Sequence, residues 1–109
     1  MTNEQQNYAM REAPNYTDID AYVSDIALSE PFETEDGTIP EDLITDLRRL
    51  WYICNAPFSE LLDGRKMTDV AERFCIPYRT LQDWCRGERE CTNYLRLFIA
   101  NALGYQPKA

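Results

Sequence analysis

MTDVAERFCIPYRTLQDWCRG, residues 67–87, decides how this chain folds. It holds two short helical patterns and a tight turn between them. Val70, Ala71 and Phe74 recur at i, i+1 and i+4 and so share one helix face, while Asp69, Glu72 and Arg73 point elsewhere. Cys75 and Ile76 form the turn, and Pro77, whose fixed φ suits a first helical position, opens the second helix. There Leu81 and Trp84 face inward, Tyr78, Arg79, Gln82, Asp83 and Arg86 face outward, and Gly87 supplies the stop.

Towards the C-terminus, RECTNYLRLFIANALG (89–104) predicts a helix capped by Thr92 and stopped by Gly104. Its Tyr94, Leu95, Phe98, Ile99, Ala102 and Leu103 fall on one face, which is expected to close the core. In the other direction, Pro57 starts a short helix whose Phe58, Leu61 and Leu62 carry an apolar stripe to Gly64. Before that, Pro40 opens the longest helix, with Glu41 and Asp42 in its first turn and Leu43, Ile44, Leu47, Leu50, Trp51 and Cys54 in helical period to about Asn55. Arg48 and Arg49 lie off that face, solvated or paired with Asp42, Thr45 or Asp46.

Nearer the start, Thr17 reads as an N-cap, and Ile19, Tyr22, Val23 and Ile26 predict an amphipathic helix over 18–28. The acid-rich connector SEPFETEDGT (29–38) reads as a solvated loop, with Phe32 as an anchor if a basic partner uses it. Residues 1–16 show no period and read as a mobile tail, as do 105–109. No stretch alternates as a strand does. The expectation is one all-α domain, a compact bundle of about six helices: an acidic N-terminal segment (17–56) packed on a core domain (57–104).

IPYRTLQDWCRGERECTNYLRLFIANALG (76–104) resembles a known family. The small Ala71, apolar Ile76 and Leu81, bulky Trp84 and closing Gly87 are spaced as in the helix-turn-helix of phage-repressor-like regulators, and the whole run looks like small helix-turn-helix proteins of Firmicutes and their mobile elements. The likeness covers about residues 57–104. Cys75 departs from it, standing where such turns usually have glycine, and Thr92 stands where many relatives have proline. A residue with a Cβ at a positive φ strains the turn.

The resemblance implies a repressor-like fold and double-stranded DNA as partner. In a helix-turn-helix the second helix enters the major groove with its N-terminal residues nearest the bases, which places Tyr78, Arg79, Gln82 and Asp83 at base edges. Arg79 suits guanine, Gln82 suits adenine, and Asp83 either accepts from cytosine or orients Arg79 or Arg86. Thr68, Arg86, Arg89 and Asn93 are placed at phosphates.

Charge runs against DNA at first sight, since 11 basic and 19 acidic residues leave −8. Its distribution is uneven: residues 1–64 hold three arginines against 14 acids, net −11, whereas 65–109 hold eight cations against five acids, net +3. So few cations near the second helix favour a homodimer on a two-fold site, joined through the N-terminal half or the last helix. The acidic half supports a different reading, a protein-interaction module such as an antitoxin, a phage-type inhibitor or a DNA mimic, with a basic protein as partner.

Other classes fit less well. There is no histidine, no glycine-rich phosphate loop and no nucleophile elbow, so no enzyme is expected. The four cysteines, Cys54, Cys75, Cys85 and Cys91, lack C-x-x-C spacing, and neither a metal nor any other cofactor is expected. Cys85 and Cys91 would be the first pair to test for a bridge if the chain were secreted. The N-terminus has no signal pattern and no apolar run reaches 18 residues, so a cytoplasmic protein without a membrane partner is expected.

Overall fold

In the computed structural model, which describes residues 1–32 and 37–107, the chain is all-helical: seven α-helices and no strand among the described residues. They fall into two compact units, Met1–Asn55 and Ala56–Ala109. No helix among the described residues is long and apolar enough to cross a membrane.

The first unit contains α1 (Asn3–Glu12), α2 (Ile19–Ala27) and α3 (Glu41–Asn55), with 3-10 turns at Ala13–Asn15 and Glu30–Phe32. Helix α3 is its pillar. Its Leu47, Leu50 and Ile53 are buried, and it packs against α1, α2 and the turn at Ala13–Asn15. Tyr22, on α2, is fully buried and donates its hydroxyl to the Ala9 carbonyl at 2.8 Å, so the polar end of a large ring is satisfied inside the core. That burial holds the Tyr22 hydroxyl well above the usual tyrosine range. Trp51 Nε1 donates to the Tyr16 carbonyl at 3.0 Å.

Four expectations for this unit change. Residues 1–16 are no tail, because α1 occupies Asn3–Glu12 and buries Ala9 and Met10. A capping box starts it: the Thr2 hydroxyl accepts from Gln5 N–H and the Gln5 side chain accepts from Thr2 N–H. The cap of α2 is Asp18 rather than Thr17, its carboxylate accepting from Asp20 N–H. Arg48 pairs with Asp20 at 2.9 Å, across to α2, rather than along its own helix. Phe32 is buried and offers no anchor to a partner. The rest of the acidic connector lies partly outside the described residues, at 33–36.

The second unit contains α4 (Phe58–Leu61), α5 (Met67–Phe74), α6 (Tyr78–Arg86) and α7 (Asn93–Leu103). Helices α5, α6 and α7 end alike. In each, the residue after the helix takes a left-handed conformation and the next N–H reaches back five residues: Ile76 to Ala71, Glu88 to Asp83, Tyr105 to Ala100, all at 2.9 Å. This satisfies carbonyls the helix leaves open. At α6 and α7 the left-handed residue is glycine, as expected at Gly87 and Gly104. At α5 it is Cys75, with φ 54° and ψ 38°.

A side chain there costs about 1–2 kcal/mol. Cys75 is exposed, so little packing is lost when it goes. Cys75→Gly should therefore stabilise the chain by about 0.5–1 kcal/mol, net of the entropy glycine adds to the unfolded state. A thermal melt followed by circular dichroism checks this; a lower midpoint would mean the thiol does more than sit in a strained turn.

Pro77 stands one residue before α6, as its N-cap, so the helix begins at Tyr78. Leu81 is fully buried, while Trp84 is half-buried with its ring 5.3 Å from that of Phe58. Helix α6 packs on α4 and α5, and α4 on α7. Thr92 caps α7, accepting from Leu95 N–H. The inward face of α7 differs from the expected one. Ile99, Ala100 and Leu103 are buried, but Tyr94 and Phe98 are 75% and 61% exposed and Ala102 is also exposed. Tyr105 is no tail residue either: it is buried as it closes the end of α7.

Candidate nucleic-acid interface

Helix α6 has two unlike sides. Leu81 turns into the unit, and Tyr78, Arg79 and Arg86 are exposed. Tyr78, Gln82 and Arg86 follow one another at four-residue spacing, with Arg79 and Asp83 on the adjoining row, so the five share one flank of the helix. Gln82 is half-buried, which leaves its amide less free than an outward residue would be.

Asp83 organises that flank. Its side chain is only 14% exposed, and it sits between two guanidiniums: Arg79 Nε lies 3.4 Å from Oδ1 and Arg89 Nε lies 3.9 Å from Oδ2. Oδ1 itself is buried without a hydrogen bond. Of the two roles expected for Asp83, this geometry matches orientation, and the arginine it reaches besides Arg79 is Arg89 rather than Arg86. The peptide carbonyl of Asp83 also accepts from the N–H groups of Glu88 and Arg89, which ties the chain after α6 back onto the helix and brings Arg89 to its carboxylate. Ion pairs this exposed contribute at most about 1 kcal/mol. Their effect is on direction: a contact through Nε leaves the outer nitrogens of each guanidinium for an acceptor beyond the helix.

The other expected phosphate residues lie on neighbouring helices. Thr68 is exposed in the first turn of α5, and Asn93 is half-buried at the start of α7. Around the start of α5 is a cluster that reading residue by residue missed. Arg65, Lys66, Asp69 and Arg73 line an open cavity of about 370 Å³ floored by Val70 and Leu103. No side chain caps the N-terminus of α5, where helix dipole and cations favour an anion together. The adjacent Arg65 and Lys66 just ahead of the helix were the available signal. One cation is partly engaged, since Arg73 donates to the Ala102 carbonyl at 3.2 Å.

None of the four cysteines is in a disulfide, and burial pushes the Cys91 thiol up to about 11, against the lowering influence of Arg96. Burial also raises the Cys85 thiol. No cluster of three metal-ligating side chains occurs among the described residues.

No protein-family model, curated protein or solved structure matches this chain.

Proposed function

We propose that the protein binds double-stranded DNA sequence-specifically, with α6 in the major groove, and acts as a transcriptional regulator in the form of a homodimer. One observation carries the reading. The exposed flank of α6 presents Tyr78, Arg79, Gln82 and Arg86, and its single carboxylate, Asp83, is turned to two arginines instead of to solvent. A carboxylate facing the phosphates would repel them; one held between guanidiniums aims cations at them. In this reading Arg79 takes a guanine edge, Gln82 an adenine edge and Tyr78 an apolar or sugar contact, while Arg86, Arg89, Thr68 and Asn93 hold phosphates. Arg65 and Lys66 add a phosphate site at the start of α5.

The charge of the first unit supports a second reading. Met1–Asn55 carries 12 acids against three arginines, net −9, as a surface for a basic protein would. The burial of Phe32 removes the apolar anchor that such a surface was expected to have.

Binding to a duplex, and how it weakens with salt, separates the two. With four cations at phosphates per copy, Arg65, Lys66, Arg86 and Arg89, the logarithm of the affinity for a duplex should fall against the logarithm of salt with a slope of about −3.6 per copy. Fluorescence anisotropy of a labelled duplex, drawn from the DNA upstream of the chain's own gene, measures it. Failure to retain any duplex at low salt would overturn the DNA reading in favour of the acidic surface.

A further inference from the structure

We infer that the exposed face of α7 is a self-association surface, and that its occupant is a second copy of this chain. Tyr94, Phe98, Asn101 and Ala102 recur at i, i+4, i+7 and i+8, so they form one continuous exposed stripe along the helix. Two large rings lead it. Tyr94 is 75% exposed and Phe98 61%, the two most exposed large apolar side chains among the described residues. The Phe98 ring meets the half-buried Phe74 of α5 edge-on at 6.0 Å, which extends the patch onto a second helix. A single exposed aromatic is commonplace, but a stripe of this kind spanning two helices marks an interaction site.

Charge selects the occupant. Helix α7 is the only described helix without an aspartate or glutamate, and its one charged residue, Arg96, donates to the Ala56 carbonyl and stacks 5.8 Å over Phe58. A basic partner finds no carboxylate on this face. A second copy, which the −8 of the whole chain repels elsewhere, finds here the stretch with least to repel it. The stripe also complements itself. Two α7 helices running antiparallel about a two-fold axis, crossing between positions 94 and 98, set Tyr94 of each copy beside Phe98 of the other. Added salt screens the −8 and strengthens such a contact, opposite to its effect on binding a basic protein or DNA.

The surface is small beside the ~800 Å² per partner of a standard interface, so association depends on concentration. Sedimentation equilibrium of the full chain without DNA, in reductant because Cys75 is exposed, tests it from about 1 to 300 µM. The average mass should climb from 12.8 kDa towards twice that value, more readily at higher salt. Phe98→Glu should weaken association at least about tenfold. Tyr94→Glu should do the same, and answers the question if the first variant misfolds. Leu28→Glu, at an exposed apolar residue of the first unit, should associate as the wild type does. A wild-type mass fixed at 12.8 kDa over the whole range overturns the inference, as does undiminished association of both α7 variants. The inference rests on the homodimer of the proposed function, but the measurement contains no DNA, so its failure removes the dimer and leaves duplex binding to be judged by the anisotropy alone.

Discussion

Leu81→Ala should destabilise the chain by about 3–5 kcal/mol, the largest stability loss expected from any change in α6. Leu81 is fully buried on a helix that packs against both α4 and α5. Truncation removes the Cγ methine and both Cδ methyls and leaves a hole that those helices cannot fill without moving. For a unit of this size each kcal/mol moves the melting midpoint by several degrees, so a drop of more than about 10 °C is expected. A far-ultraviolet circular dichroism melt measures it. A loss below about 1 kcal/mol would mean that α6 is held by something other than its buried face. The half-buried Trp84 against Phe58 would be the next place to look.

Arg79→Ala should act on binding and leave folding alone. The Arg79 side chain is 81% exposed, and its one ion pair among the described residues is the 3.4 Å contact with Asp83, so stability should stay within about 0.5 kcal/mol of wild type. Affinity for the preferred duplex should fall about ten- to a hundredfold, with the preference relaxed at one base pair and binding to unrelated duplexes little changed. Lys66→Ala is the contrast. On the proposed reading it removes a phosphate contact, so it should weaken binding to every duplex alike and make the salt slope shallower by about one. If Arg79→Ala lowers affinity for all duplexes equally, Arg79 is a phosphate residue and the bases are read elsewhere on α6.

The helical periods of 67–87 and 89–104 made α5, α6 and α7 legible, and so did the glycine stops at Gly87 and Gly104, because each rests on contacts within a few residues. The left-handed Cys75 was legible as a departure from a glycine position. What was missed depended on non-local packing. Residues 1–16 show no apolar period, yet Ala9 and Met10 suffice for α1 once α3 is there to cover them; the Thr2 and Gln5 capping box is the one local signal of its start. The face of α7 was read as one broad apolar stripe. Only the positions of α4 and α5 decide that Ile99, Ala100 and Leu103 go inside while Tyr94 and Phe98 stay out. At the candidate site, the flank of α6 followed from spacing alone. The pairing of Asp83 with Arg89 did not, since it depends on how the chain folds back after Gly87.

The proposal that the flank of α6 reads DNA through Arg79 is tested most directly by selecting bound duplexes from a random library with the full chain at low salt. The selected pool should converge on one recurring sequence containing a guanine whose enrichment disappears with Arg79→Ala. Retained duplexes with no common sequence, or none retained at all, would contradict sequence-specific binding through α6.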